Sequence, residues 1–228
     1  MSQAAPTADF GPLLAAAEAR CGGPKALAER LPTALSGARL AKITDDRWLA
    51  AMTLAVFRSG FVWRVVDQKW EGFEAAFHGF DTMACAMLSD EDLETLGADA
   101  RIIRNAPKIR TVRENAQFVR QVKDEAGSFA RWIADWPVDD IVGLWDALKQ
   151  RGARLGGNTG PMMLRGMGKD TFILTQDVNR ALVGCGVIEK PATGKRALAR
   201  VQAAFTRWHE ETGRPLCELS RILAFAAG

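Results

Sequence analysis

The sequence holds little that would bind a metal, cross a bilayer or staple a secreted fold. Over 228 residues there are two histidines, His78 and His209, and four scattered cysteines, Cys21, Cys85, Cys185 and Cys217. None of these falls into a close pair at ligand spacing, so no metal site is expected and buried thiols are the plain reading of the cysteines. No apolar run is long enough to span a bilayer. The opening MSQAAPTADF has neither the basic start nor the continuous apolar stretch of a secretory signal, which makes a cytoplasmic setting the expectation. Period-two alternation is also missing. Its best candidate, TFILT at 171–175, is too short and isolated to build a sheet. A net charge of +3 does not by itself announce a polyanionic partner.

What is present is helical periodicity, almost throughout. From Asp45, the residues Trp48, Met52, Ala55 and Ser59 recur at helical spacing, with Gly60 placed to end the helix. Ser89 starts another, with an acid three residues on to complete a capping box. Ile109, Val112, Ala116 and Val119 form a core stripe, and Arg110, Arg113, Gln117 and Arg120 a parallel polar one. Between Arg101 and Lys123 there are seven Lys or Arg against one acid, Glu114, so the rest of the chain is net acidic. Pro137 suits a helix start, and Leu198, Val201, Phe205 and Trp208 mark a long helix ended by Gly213. These patterns predict an all-α protein of about ten short helices, two-lobed, with a looser N-terminal helical arm at 1–40 and one domain over 41–228.

One stretch stands out, RLGGNTGPMMLRGMG at 154–168. A helix, a glycine-rich turn and a second helix would form a hairpin over about 144–168. Gly156, Gly157 and Gly160 permit left-handed backbone and close approach, and successive amides of Gly156, Gly157, Asn158, Thr159 and Gly160 entering a helix make a phosphate cradle. A purely structural turn between helices reads equally well from this stretch in isolation.

Two further stretches narrow the reading. GFVWRVVDQKWEGFEAAFHGFD at 60–81 and ARIIRNAPKIRTVRENA at 100–116 resemble DNA-3-methyladenine glycosylase I in residue type and order, and the likeness continues through the hairpin to about residue 168. GKDTFILTQDVNRAL beyond it is similar to the wider helix-hairpin-helix glycosylase superfamily, with a V-x-R pattern at Val178–Arg180. The resemblance implies hydrolysis of the bond between a damaged base and its sugar, after the base has been taken out of the stack. It places Trp63 as the base-stacking residue, with Ala55 and Phe57 beside it. By spacing alone, Trp63 also reads as a core residue. Phosphates would be held by the turn, Lys108 and Arg104.

The pattern breaks at its carboxylates. The family's base-recognising glutamate falls on Ala55, and the superfamily's catalytic aspartate on Thr175. A threonine can cap the helix but cannot supply charge to an oxocarbenium-like sugar. Asp177 is the nearest acid, either as a catalytic group or as a first-turn acid satisfying the helix dipole. Pro161 stands near where a Schiff-base lysine would enter, and Lys169 follows the helix, so a monofunctional enzyme is expected. The resemblance's metal clip finds Cys21 without its histidine, and His209 and Cys217 are at the wrong spacing. The chain is thus expected to be a monomeric, cofactor-free glycosylase acting on double-stranded DNA that contains an alkylated or otherwise labile base. Two alternatives stay open: a DNA-binding relative that has lost catalysis, and a helical interaction module whose basic ridge is solvated surface.

Overall fold

The computed structural model describes residues 8–227; residues 1–7 of the expected arm, and Gly228, lie outside them. The described residues contain no strand. They form fifteen α-helices and two short 3₁₀ turns, more pieces than the sequence pattern predicts, because several are single turns that carry no period. In chain order the helices are α1 (Gly11–Cys21), α2 (Pro24–Ala28), α3 (Gly37–Leu40), α4 (Asp45–Arg58), α5 (Trp63–Gln68), α6 (Trp70–Ala76), α7 (Thr82–Ala86) and α8 (Asp90–Ala98). There follow α9 (Ala106–Ala126), α10 (Phe129–Asp135), α11 (Ile141–Arg151), α12 (Thr159–Gly166), α13 (Gln176–Gly184), α14 (Lys195–Thr212) and α15 (Leu216–Ala227).

These helices fall into two compact units. One takes the described residues through Leu35, the segment Pro137–Gly143 and the described residues from Asp170 onward. The other takes Ser36–Trp136 and Leu144–Lys169. The all-α expectation therefore holds. Among the described residues no helix is long and apolar enough to cross a membrane, and no group of three or more His, Cys, Asp or Glu is placed to hold a metal ion.

The second unit is built on α4 and α9. In α4 the residues Trp48, Met52 and Val56, four apart, point inward together with Leu49 and Phe57. The acids Asp45 and Asp46 occupy its first turn, where the helix dipole favours them. Helix α9 starts where its chemistry says it should. The Asn105 side chain accepts the Lys108 amide at 3.1 Å and Pro107 sits in the first turn. It ends 21 residues later at Gly127, in left-handed conformation with φ 78°. Its predicted core stripe of Ile109, Val112, Ala116 and Val119 is wholly buried. The parallel polar stripe is only partly free. Arg113 donates to the Leu88 carbonyl at 2.9 Å and pairs with Asp90, and Gln117 donates to the Ala86 carbonyl at 3.2 Å, so both tie down the end of α7 and the start of α8. The capping box predicted at Ser89 is formed in both directions with Asp92. Beneath α4, Phe73, Trp70, Phe80 and Phe77 stack in series with centroids 5.4–5.7 Å apart.

In the first unit, Phe172 stacks on Phe205 of α14 with ring centroids 4.2 Å apart. The isolated extended segment 171–175 finds a side chain where a strand neighbour would be: the Ser220 hydroxyl accepts the Ile173 amide at 3.0 Å and donates to its carbonyl at 3.3 Å. Asp170 caps α15 by accepting the amides of Leu216 and Cys217 at 3.0 and 2.8 Å. Helix α14 ends at Gly213, with φ 67°, as the sequence predicts.

Candidate nucleic-acid interface

The glycine-rich turn joins α11 to α12, and its shape is forced from inside. Leu155 is buried, and its carbonyl accepts the Gly160 amide at 3.0 Å. A Cβ on residue 160 would lie 2.6 Å from that same carbonyl oxygen, so only glycine fits. Gly157 takes φ 61° and, unusually for an arginine, Arg154 takes φ 59°. Both are exposed, as is Asn158, while the start of α12 behind them is buried at Gly160 and Pro161.

A single side chain seats this turn on α9. Asn115, fully buried, accepts the Ala153 amide at 2.7 Å and donates to the Ala153 carbonyl at 3.2 Å. One carboxamide thus supplies both the donor and the acceptor that close the pair. Helix α12 packs in turn on α4. Between the N-terminal turns of α9 and the hairpin runs an open groove of about 520 Å³, lined by Ala106, Pro107, Arg110, Thr111, Glu114, Ala153 and Arg154. Its exposed cations are Arg110 and Arg154.

Lys108, expected at a phosphate, is buried. Its ammonium donates to the carbonyls of Phe57 and Ser59 at 3.2 and 2.6 Å and lies 4.3 Å from the centre of the Phe61 ring. Burial, and the charge of Arg154 nearby, lower its pKa from the ordinary lysine value. It therefore pins the last turn of α4 and the segment that follows it. Arg104 is exposed.

That pinned segment carries an apolar ridge. Phe61, Val62, Trp63 and Val65 are exposed by 38%, 66%, 50% and 40%. Trp63 is therefore not the core residue that spacing alone allows. Phe57, by contrast, is fully buried against Phe73, and Ala55 is part-buried on α4. The Arg58 guanidinium lies 5.1 Å from the Trp63 ring centre and is held there by Asp67. A run of contacts thus leads from Trp63 through Arg58 and its neighbour Phe57 to Lys108. All of it belongs to one compact unit.

Asp177 belongs to the other unit, in the first turn of α13, where its carboxylate is ion-paired with Arg180. Thr175 caps that helix by accepting the Val178 amide at 3.2 Å. Lys169 is buried, donating to the carbonyls of Ala134 and Trp136 at 3.2 and 2.7 Å.

Residues 40–155 match the methyladenine glycosylase family model, just over half of the chain. The chain belongs to that family. The matched segment includes Ala55, Trp63, Arg104, Lys108 and Asn115 and stops inside the turn, so Gly156–Gly160 and Asp177 lie beyond it. The chain is similar to DNA-3-methyladenine glycosylase 1 of Escherichia coli (strain K12), with 34% identity over 91 residues. That stretch is 40% of this chain and 49% of the relative, so the chain spans about half the length of the curated relative it matches. Among solved structures, a 3-methyladenine DNA glycosylase I shares the fold over 73% of this chain and 93% of its own, with a TM-score of 0.50 and 21% identity. A second, from Staphylococcus aureus and described in recognition of 3-methyladenine, aligns over 67% and 92% with a TM-score of 0.49 and 20% identity.

Sequence reasoning singled out Trp63 and the glycine turn but gave no role to Asn115, Arg58 or Arg154. Asn115 had a signal in its place within the resembling stretch. Arg154 had one in its position at the mouth of a glycine run. Arg58 had none.

Proposed function

We propose that this protein is a base-excision glycosylase that binds double-stranded DNA as a monomer in the cytoplasm and hydrolyses the bond to an alkylated or otherwise labile base. The observation that carries the reading is the half-exposed Trp63 ridge, set in the same compact unit as a glycine hairpin and a cationic groove. Membership of the methyladenine glycosylase family and the likeness to the Escherichia coli enzyme support it.

In this reading the exposed turn at Gly157 and Asn158, with Arg104, Arg110 and Arg154, takes the phosphodiester backbone. Such contacts carry no sequence information, which suits an enzyme that must work anywhere on a duplex. Lys108 serves from beneath by holding the segment that bears Trp63. The indole receives the extruded base on its face. A methyl at Ala55 accepts that base by shape and stacking, with weak discrimination between bases. Alkylation leaves the base positively charged and its glycosidic bond weakened, so positioning alone supplies much of the rate. The acid that the resemblance offers for catalysis, Asp177, would have to leave Arg180 to act.

A second reading, a DNA-binding relative without excision, is favoured by that ion pair together with Ala55 and Thr175. Globally methylated duplex DNA incubated with the protein, with the released bases identified by mass spectrometry, separates the two. Free alkylated base is the expected product, and Asp177→Asn is expected to slow its release. No release from methylated DNA or from a panel of other lesion-bearing duplexes, with duplex binding intact, would establish the second reading.

A further inference from the structure

We infer that Arg58, braced by Asp67, is the positioning residue that fixes the Trp63 indole for stacking; the inference rests on the proposed role of Trp63. Arg58 is the last residue of α4, and Trp63 is the first of α5. Trp63 and Asp67 stand four apart and so share one face of α5. Arg58 reaches across from the neighbouring helix to both. Its Nε and Nη2 donate to Asp67 Oδ1 at 3.1 and 2.6 Å, while its guanidinium carbon lies 5.1 Å from the indole centre. Cation and ring attract through the ring quadrupole, and the planar guanidinium is suited to lie against an aromatic face while its edge meets a carboxylate.

The arrangement matters because half of the Trp63 surface is open to solvent. A half-exposed tryptophan on a six-residue helix would otherwise sample several rotamers, and a base stacking on it would have to freeze them. With Arg58 in place, one side of the ring is covered and its orientation is set before any base arrives. Ala55 stands three residues before Arg58, hence on the same side of α4. Arg58 and Asp67 are partly exposed themselves, so their ion pair adds little to folding stability. A role in folding alone leaves this three-way contact without a purpose; a role in presenting the indole accounts for it.

The test is calorimetric titration of the full chain with free 3-methyladenine. Arg58→Ala is expected to weaken binding by about threefold to tenfold, the cost of ordering one aromatic side chain. Asp67→Asn should act in the same direction with a smaller effect, and Trp63→Ala should abolish most of the binding. In the Trp63→Ala background, Arg58→Ala should have no further effect, and the melting temperature should move little in any Arg58 variant. Unchanged affinity in Arg58→Ala, with binding lost in Trp63→Ala, would overturn the role of Arg58 and leave stacking on Trp63 standing. The same would follow if Arg58→Ala weakened binding equally in both backgrounds. Wild-type protein that takes up no base, or Trp63→Ala protein that binds as well as wild type, would instead overturn the stacking on which the inference rests.

Discussion

Asn115 does with one amide what a longer contact surface does elsewhere. Fully buried, it satisfies both backbone groups of Ala153, and its removal would leave that donor and acceptor without their partner. Asn115→Ala is expected to destabilise the fold by about 2–4 kcal/mol, read from chemical denaturation. It should also lower duplex affinity more than its loss of stability explains, since the turn it seats is the proposed phosphate cradle. Asn115→Asp keeps the acceptor and buries a charge, so it should fare no better. Residues of this kind are the least legible in a sequence. Asn115 and Ala153 are far apart in the chain, and nothing local says that they meet. Lys108 misleads for a related reason: within a run of seven cations it reads as surface, and only the carbonyls at the end of α4 turn it inward. Trp63 was ambiguous because spacing cannot tell an inward face from an exposed one at a helix start.

Elements were far more legible than contacts. Ser89 and Gly213 mark helix ends by chemistry that acts within a few residues, and the core stripe of α9 follows from periodicity alone. The short helices α5 and α7 escaped because five or six residues hold too few turns to show a period. One element prediction concerns pH. Hydrogen bonds from the Ser89 amide, then its hydroxyl, lower the Asp92 pKa below the ordinary 3.8. A carboxylate depressed in the folded state contributes stability that is fully present above its unfolded pKa and is lost as pH falls through the folded one. Denaturation midpoints of wild type and Asp92→Asn should therefore differ at neutral pH and converge in acid below 3.8. A gap that stays constant through that range would mean the capping box contributes without its charge.

At the scale of the molecule, charge distribution matters more than the net of +3. Cations are gathered along α9 and the hairpin, with Arg104, Arg110 and Arg154 exposed. Three phosphate contacts would make the logarithm of duplex affinity fall with the logarithm of salt concentration with a slope of about −2.7, and each neutralisation should reduce that slope by about 1. Fluorescence anisotropy on an undamaged duplex measures this without any chemistry. A slope unchanged in Arg110→Gln and Arg154→Gln would place the DNA on another face and favour a helical module with a merely solvated ridge. The family match covers just over half of the chain and ends within the turn.

In the proposed glycosylase, the methyl group of Ala55 has a consequence for how errors would be avoided. An enzyme that reads its guest by contour, with no carboxylate to question the base edge, cannot do its own proofreading. Selection would then pass to the duplex: well-paired bases stay put, loosely held ones swing out more often, and the double helix itself nominates the candidates for removal.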